Sequence, residues 1–449
     1  MEKRGRGMLL AGLGVVAAVT AASSPVHAAA TAAPVPVADP GDTAWLLIST
    51  ALVMLMTPGL AFFYGGLVRR KNVLSVLMQC FAILCIVSLQ WTAFGYSLAF
   101  GPDIKGVIGG LDWAWLRGVG ATPNPTYAPT VPHTAFMAFQ MMFAVITPAL
   151  IIGAFAERME FAGFAVFSLL WATFVYDPVA HWIWADGGFL RRIGTLDFAG
   201  GLVVHANAGM AALAAALFLG RRDGYPERVS PPHNLPFAVL GAGLLWFGWF
   251  GFNAGSALSS GGIAAGAFVA THVAAATAGL VWGLLDLLFQ ERPTVLGMIT
   301  GVVAGLATIT PASGFVGMTG AVGIGALAAA TCYGSVVWLK RIAGYDDTLD
   351  AFGVHGVGGI VGSLATGIFA VKALNPAGAD GLLAGGASGA GVLAVQALAT
   401  VVTAAYSFSA SWLLLKLTDL TVGLRVTNEE ERIGLDLTQH SEAGYTALE

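Results

Sequence analysis

DAFGVHGVGGIVGSLATGIF, residues 350–369, is a run of small and apolar residues with a single histidine, His355, near its start. A membrane-spanning helix needs about 20 such residues, and this run supplies them. Its closely spaced glycines allow neighbouring membrane helices to approach one another. An ionisable side chain at that depth is costly to bury and is therefore a candidate functional group. The stretch predicts a tightly packed membrane helix with a functional histidine.

The rest of the chain shares this apolar character. Of its 449 residues, 57% are hydrophobic and 10% are charged, and the mean hydropathy is +0.77. These values differ widely from those of soluble domains and predict an all-α protein that crosses a membrane many times. The net charge of −4 is modest and the basic residues are scattered, so the sequence does not indicate a nucleic-acid-binding surface.

The sequence lacks the motifs of nucleotide-hydrolysing enzymes and of metal-binding proteins. The chain has no G-x-x-x-x-G-K-[ST] phosphate loop and no soluble stretch of the size of an ATPase or kinase domain. The cysteines, Cys80, Cys85 and Cys332, lie in apolar runs without the spacing of a metal site. We therefore expect neither an enzyme nor a bound metal or cofactor.

Long apolar runs separated by short polar breaks predict eleven membrane helices. An odd number of spans places the two ends of the chain on opposite sides of the membrane. The predicted cytoplasmic segments hold thirteen Lys and Arg residues, and the predicted outer segments hold five. Because basic residues are more frequent on the cytoplasmic side, we expect the N-terminus outside and the C-terminus in the cytoplasm. We expect the protein to lie in the inner (cytoplasmic) membrane. The predicted spans are 43–66, 73–100, 132–156, 161–183, 198–220, 235–257, 262–290, 294–311, 315–339, 351–371 and 386–416.

The segments outside the bundle have distinct compositions. Residues 1–28 combine a basic start, an apolar run and a small-residue site, which is typical of a signal peptide. An uncleaved first span is the alternative, which the shortness of the apolar run disfavours. Residues 29–42 are an extracytoplasmic linker, residues 43–417 the eleven-helix domain, and residues 418–449 a polar cytoplasmic tail that is either regulatory or disordered.

Two stretches five helices apart repeat one pattern: DFAGGLVVHANAG at 197–209 and DAFGVHGVGG at 350–359. Because five is odd, the two halves would cross the membrane in opposite directions, as in a five-plus-five inverted repeat with an additional last helix. Such repeats place the substrate site at their interface. Asp197 and Asp350 stand where helix N-caps belong, and we expect Asp350 to be a structural cap. Asp197 is also positioned to lower the cost of bringing positive charge into a pore.

The predicted spans place His205 and His355 at membrane depth. Each histidine alone is equally consistent with a hydrogen bond between helices, but matching places in a repeat favour function. A neutral imidazole offers one donor and one acceptor, and its ordinary pKa allows it to take up a proton at modest cost. Two such rings in contact are suited to relaying a proton. His272 lacks a repeat partner, so we expect it to be a packing residue.

Aromatic residues form a second candidate group. Most of the tryptophans are explained by the aromatic belt at the membrane surface. Phe143 and Phe252 lie deeper in their spans and fit a hydrophobic constriction that excludes hydrated ions. Trp184, at the outer end of the fourth span, is suited to presenting its ring face to a small cation, and Ser256 offers an oxygen acceptor nearby.

Six stretches together resemble the ammonium transporter (Amt/Rh) family, in family order and across nearly the whole chain after the linker. They are PGLAFFYGGLVRRKNVLS (58–75), LIIGAFAERMEF (150–161), DFAGGLVVHANAG (197–209), PHNLP (232–236), FGWFGFNAGSAL (247–258) and DDTLDAFGVHGVGGIVGSLATGIF (346–369). Trp184 favours the bacterial Amt branch, because the Rh branch lacks a tryptophan in its outer site.

The resemblance implies a homotrimer of eleven-helix protomers, each with its own narrow pore. It also implies that the tail contacts neighbouring protomers and is read by a PII signalling protein. The residues that correspond to the family's site are Trp184, Ser256 and Phe139 for the outer recruitment site, with Asp197 below it and Tyr176 near it, Phe143 and Phe252 for the gate, and His205 and His355 for the twin histidines.

The sequence-based hypothesis is uptake of ammonium through a split pathway. NH4+ would lose its water against Trp184 and its proton near Asp197, after which NH3 and the proton would cross separately, with net movement of charge. A passive NH3 or CO2 channel and an ammonium sensor that signals through its tail remain alternatives. A third alternative is an intramembrane metallo-enzyme, which requires a further metal ligand besides His205 and His355.

Overall fold

The structure is a computed structural model that describes residues 37–227 and 230–445. The predicted signal peptide and most of the predicted linker lie outside the described residues. Eleven apolar helices lie within the described part of the chain, which confirms the predicted all-α membrane fold. They are α1 (Pro40–Leu67), α2 (Arg70–Phe100), α3 (His133–Phe155), α4 (Phe161–Arg192), α5 (Gly201–Leu219), α6 (Leu235–Gly255), α7 (Gly262–Gln290), α8 (Val295–Ile309), α9 (Met318–Ala343), α10 (Phe352–Phe369) and α11 (Ala387–Thr421).

The observed helices differ from the predicted spans by a few residues at most ends. The exception is α4, which is predicted to end at 183 but reaches Arg192 through a short helix, Phe189–Arg192, that follows a break at residues 185–188. Ten of the helices in the described residues are long and apolar enough to cross a membrane, and α8 is shorter, with 15 residues. The helix ends at Ile309 instead of the predicted 311, because the nitrogen of Pro311 has no hydrogen to donate. The last helix, α11, continues to Thr421, so the polar tail begins after the predicted boundary at 417.

Successive helices run in alternating directions between two ends of the bundle. The loop end holds two small hairpins, in which β1 (Asp103–Ile104) pairs with β2 (Ile108–Gly109) and β3 (Pro123–Asn124) pairs with β4 (Ala128–Pro132), all antiparallel. At the start of α1, the amide of Asp39 donates to the carbonyl of Thr130 over 2.7 Å, which ties that helix to β4. The tail end holds two short helices, α12 (Asn428–Ile433) and α13 (Leu435–His440).

Glycines allow the two halves of the chain to pack closely. A Cβ atom on Gly241 of α6 would lie 2.2 Å from the nitrogen of Phe63 in α1. A Cβ atom on Gly209 of α5 would lie 2.1 Å from the Cα atom of Gly356 in α10. Real side chains do not make contacts this short, so only glycine fits at these crossings. This is the close approach that the glycine-rich stretches predict.

The first turns of α5 and α10 correct the predicted register of the repeat. Asp197 caps α5 as expected, and its carboxylate accepts hydrogen bonds from the four successive amides of residues 200–203. In α10 the cap is Asp347, which accepts from the amides of Ala351 and Phe352 over 3.1 and 2.8 Å. The prediction that Asp350 is the cap is therefore wrong.

Asp350 plays a different part in the turn. Its φ is +61°, in the left-handed region, and Gly200 occupies the equivalent place before α5 with a φ of +110°. Its carboxylate accepts a hydrogen bond from Lys340 over 2.7 Å instead of capping the helix. The true repeat thus matches Asp197 with Asp347, Gly200 with Asp350, and His205 with His355.

The tail folds back onto the tail end of the bundle. A capping box between Thr427 and Glu430 begins α12. The buried carboxylate of Glu431 accepts from the amide of Asp223 over 2.7 Å and pairs with Arg425 over 3.2 Å. Asp436 accepts from the amide of Ser75 over 2.8 Å, near the start of α2. The described part of the tail is therefore held by specific polar contacts.

A charge cluster joins the loops at the same end. Arg222 lies 2.8 Å from Asp346 and 3.1 Å from Glu157, and Arg69 lies 3.0 Å from Glu157. Burial raises the pKa of both carboxyl groups, but the guanidinium charges outweigh it, so the pKa of Glu157 and that of Asp346 lie below their ordinary values. Both acids are therefore charged at neutral pH and hold these loops together.

Candidate functional site

Three cavities lie in a row between the two ends of the bundle. The loop-end cavity has a volume of about 550 Å³, the histidine cavity about 10 Å³ and the tail-end cavity about 430 Å³. Along α3 the wall passes from Phe143 in the loop-end cavity to Leu150 in the histidine cavity, and along α6 it passes from Ser256 to Leu245. His355 lines both the histidine cavity and the tail-end cavity. The row marks a candidate path through the membrane.

The loop-end cavity contains several of the predicted recruitment residues. Trp184, Ser256 and Asp197 all lie in its wall. The indole Nε1 of Trp184 donates to the carbonyl of Asp197 over 2.8 Å, which fixes the ring. The hydroxyl of Ser256 donates to the carbonyl of Phe252 over 2.8 Å, so its oxygen lone pairs remain free to accept from a ligand.

Two predicted recruitment residues lie behind this wall. Phe139 is fully buried and packs its ring 5.0 Å from that of Phe143. Tyr176 is also fully buried, with its ring 6.1 Å from that of Trp91, and its hydroxyl has no hydrogen-bond partner among the described residues. Neither residue is among those that line the cavity, so any influence on a ligand there would pass through their neighbours.

A pair of phenylalanine rings separates the loop-end cavity from the histidine cavity. The rings of Phe143 and Phe252 are stacked, with centroids 4.2 Å apart and planes inclined by 27°. Phe143 is 1% exposed and Phe252 is fully buried, which leaves no open passage for a hydrated ion. The edge of the Phe143 ring also meets Trp184, at 5.7 Å between centroids. The constriction therefore begins directly below the tryptophan.

His205 and His355 lie next to each other beyond this constriction. Their ring centroids are 5.3 Å apart and their planes are inclined by 15°, so the rings are stacked. Trp249 covers the other face of His205 at 5.4 Å, and its own Nε1 donates to Thr310 over 2.9 Å. Both ring nitrogens of His205 and Nδ1 of His355 have no hydrogen-bond partner in the part of the chain that the structure describes.

The backbone around each histidine is irregular in the same way. Gly201–Ala206 at the start of α5 and Phe352–Gly356 at the start of α10 are both π-helical turns. Such turns are rare and occur frequently at functional sites. Sequence reasoning did not find them, nor did it find Asp347. Asp347 precedes His355 by eight residues, as Asp197 precedes His205, and that spacing was the signal that identifies the cap.

The histidine cavity is small and otherwise apolar. Its remaining wall consists of aliphatic, thioether and aromatic side chains, which are Met56, Leu60, Ile146, Leu150, Val204, Leu245, Trp249, Phe252 and Val303. A space of this size admits at most about one water molecule. Placing a charge in such surroundings costs several kcal/mol, whereas a small neutral molecule is tolerated.

The tail-end cavity has a different chemistry. Arg222, Lys340, Asp286 and Asp350 line it together with hydroxyl and amide side chains. Asp286 is buried and accepts from the hydroxyl of Thr294 over 2.6 Å. A solute that reaches this cavity from the histidines meets polar groups again.

A metal site at His205 and His355 would require a third ligand. Within residues 37–227 and 230–445 there is no cluster of three His, Cys, Asp or Glu side chains that could hold a metal ion. His272 lies away from the path, on an exposed face of α7, with its ring stacked 5.2 Å from that of Trp246. The imidazoles of the path are thus His205 and His355.

Comparison with known proteins gives one consistent result. The model of the Ammonium Transporter Family matches residues 44–445. The chain is 50% identical over 406 residues to an ammonium transporter of Bacillus subtilis, covering 90% of this chain and 98% of that protein. It is 51% identical over 407 residues to a putative ammonium transporter of Methanothermobacter thermautotrophicus, with the same coverage.

Solved structures show the same likeness. The structure of Candida albicans Mep2 superposes with a TM-score of 0.82 at 35% identity and covers 88% of each chain. A protein described as a sensor Amt protein superposes with a TM-score of 0.81 at 32% identity, covering 89% of this chain and 98% of that one.

Proposed function

Because this chain belongs to the ammonium transporter family, we propose that it takes up ammonium by binding NH4+ in the loop-end cavity and moving NH3 and the proton separately past the histidines. The loop end then faces the outside of the cell and the tail end faces the cytoplasm, as the distribution of basic residues indicates. The homotrimer and the PII protein that the family resemblance implies are part of the same proposal.

Recruitment begins at the wall of the loop-end cavity. The indole of Trp184 is held by the carbonyl of Asp197 and offers its face to a cation. Such an attraction contributes on the order of 1–2 kcal/mol when the cation is partly desolvated. Ser256 supplies an oxygen acceptor for an N–H group. NH4+ can donate this directional hydrogen bond, and a spherical ion such as K+ cannot.

The apolar middle of the path requires that ammonium lose its proton. The stacked rings of Phe143 and Phe252 and the apolar histidine cavity admit a neutral amine far more readily than an ion. Splitting NH4+ lets NH3 cross as a neutral molecule, while the proton passes to the imidazole nitrogens of His205 and His355 and rejoins NH3 in the tail-end cavity. It also rejects K+, which has the same charge but no proton to give up.

The observation that carries the proposal is that the two buried imidazoles have ring nitrogens without hydrogen-bond partners among the described residues. Three of their ring nitrogens lack partners among the described residues, although both rings are buried in an apolar cavity. Unpaired buried polar groups are costly and occur where function requires them. Here they are suited to accepting a hydrogen bond from NH3 and to relaying a proton between the stacked rings. A passive gas channel has no need of them.

The experiment compares ammonium and potassium fluxes in proteoliposomes. We expect the wild type to pass ammonium and exclude potassium, and Phe252→Ala to admit potassium because it opens the constriction. Phe247→Ala, on the exposed face of the same helix, is the matched control and should behave as the wild type. A wild type that moves no ammonium contradicts the proposed function, and a Phe252→Ala variant that remains selective contradicts the role of the constriction.

A further inference from the structure

The loop-end cavity carries an unpaired positive charge. Among the described residues that line it, Arg191 and Asp197 are the charged ones. The carboxylate of Asp197 is turned to the first amides of α5, from which it accepts four hydrogen bonds. Arg191 is exposed and takes part in none of the ion pairs found within residues 37–227 and 230–445.

The neighbouring arginine is placed differently. Arg192 pairs with Asp103 over 3.0 Å, and its side chain is 59% exposed. It does not line the loop-end cavity. The two arginines are adjacent in the short helix Phe189–Arg192 at the end of α4, and both are exposed, but only Arg191 lines the cavity. Arg192 shares an ion pair outside the wall, whereas Arg191 has none among the described residues, and the other charge in the wall is the carboxylate of Asp197.

Arg191 also lies beside the proposed recruitment site. Its Nη1 donates to the main-chain carbonyl of Trp184 over 2.6 Å. The same tryptophan lines the cavity and is the proposed receptor for the cation. A cation in the cavity therefore shares its wall with the guanidinium group of Arg191 and with the carboxylate of Asp197, which accepts from amides of α5 but keeps its negative charge. Like charges repel one another, and because Arg191 is exposed, water and salt weaken that repulsion.

We propose that Arg191 sets the cation affinity of the loop-end cavity by repulsion, so that the site releases ammonium readily and saturates only at a higher concentration than an uncharged wall would allow. This inference rests on the proposed function and deepens it. The effect concerns the affinity for any small cation and leaves the selectivity to the constriction and the histidines.

The charge of Arg191 and its hydrogen bond to Trp184 are separable by substitution. Arg191→Gln removes the charge and retains a side-chain N–H donor. Arg191→Lys retains the charge and loses the planar fork. Loss of packing or of the hydrogen bond would weaken binding, whereas loss of repulsion strengthens it. The sign of the change therefore distinguishes an electrostatic role from a structural one.

The test is the concentration dependence of radiolabelled methylammonium uptake by proteoliposomes at low and high salt. At low salt, Arg191→Gln should lower the KM by about threefold to tenfold, and the difference should shrink to less than about twofold near 0.5 M salt, because mobile ions screen exposed charges. Arg191→Lys and the matched control Arg192→Gln should keep the wild-type KM within about twofold, as expected for a retained charge and for a charge outside the wall.

Other results overturn the inference. An unchanged or raised KM in Arg191→Gln, the same fall in Arg192→Gln or Arg191→Lys, or a fall that persists at high salt each contradicts repulsion by Arg191. These outcomes leave the proposed function intact, because the wild type would still show saturable uptake. A wild type without saturable uptake contradicts the proposed function itself, and the inference falls with it.

Discussion

At the scale of single residues, substitution distinguishes the structural roles of Asp347 and Asp350, the two aspartates closest to the start of α10. Asp347→Ala removes the acceptor of two amides in the first turn and should cost about 1–2 kcal/mol of stability, whereas Asp347→Asn keeps an acceptor oxygen and should cost less. Asp350→Asn should change stability little, because its ion pair is partly exposed and asparagine tolerates a left-handed φ. The thermal unfolding midpoint in detergent measures all three. A larger loss in Asp350→Asn than in Asp347→Ala would contradict the corrected register.

The histidines were easier to predict from the sequence than the acids that support them. A buried ionisable group in an apolar run is conspicuous, as His205 and His355 are. The cap of α10 was harder to find, because Asp347 and Asp350 both precede the helix. What decides between them is the left-handed backbone at Asp350, which directs its carboxylate to Lys340. Backbone handedness at a non-glycine residue leaves little trace in composition.

At the scale of elements, hydropathy predicted the spans and glycine spacing predicted that they pack closely. Neither signal shows where a helix widens into a π-turn, because π-turns depend on how neighbouring helices displace one backbone hydrogen bond. The turns Gly201–Ala206 and Phe352–Gly356 lie at the crossing of α5 and α10. Each turn contains one of the two histidines, whose ring centroids lie 5.3 Å apart, and that relation is a tertiary one.

The crossing of α5 and α10 makes a direct prediction about glycine. Gly209→Ala places a Cβ atom 2.1 Å from the Cα atom of Gly356, so the helices must separate, and overpacking of this kind costs about 1–3 kcal/mol. Gly243→Ala is the matched control, since nothing lies within 4 Å of the added atom and alanine favours the helix. We expect a lowered unfolding midpoint and reduced ammonium flux in the first variant only. Equal stability of the two variants would show that the crossing tolerates a wider spacing.

At the scale of the whole molecule, the eleven spans and the inverted repeat could be predicted from the sequence, and the row of cavities could not. Phe139 and Tyr176 illustrate the limit. The resemblance places Phe139 in the recruitment site and Tyr176 near it, and both side chains are fully buried outside the cavity lining. Which face of a helix borders a cavity depends on how all the helices pack. The tail shows the same limit, since its polar composition is equally consistent with disorder.

The central claim is that charge crosses the membrane through the paired histidines. The measurement is the transient current of proteoliposomes on a solid-supported membrane after an ammonium jump, for the wild type, for the double variant His205→Ala with His355→Ala, and for His272→Ala as a histidine outside the path. We predict a current that ammonium evokes and potassium does not, that His272→Ala retains, and that the double variant loses or makes unselective. A silent wild type whose lumen nevertheless turns alkaline as ammonia enters would mean neutral gas conduction and would contradict the proton relay.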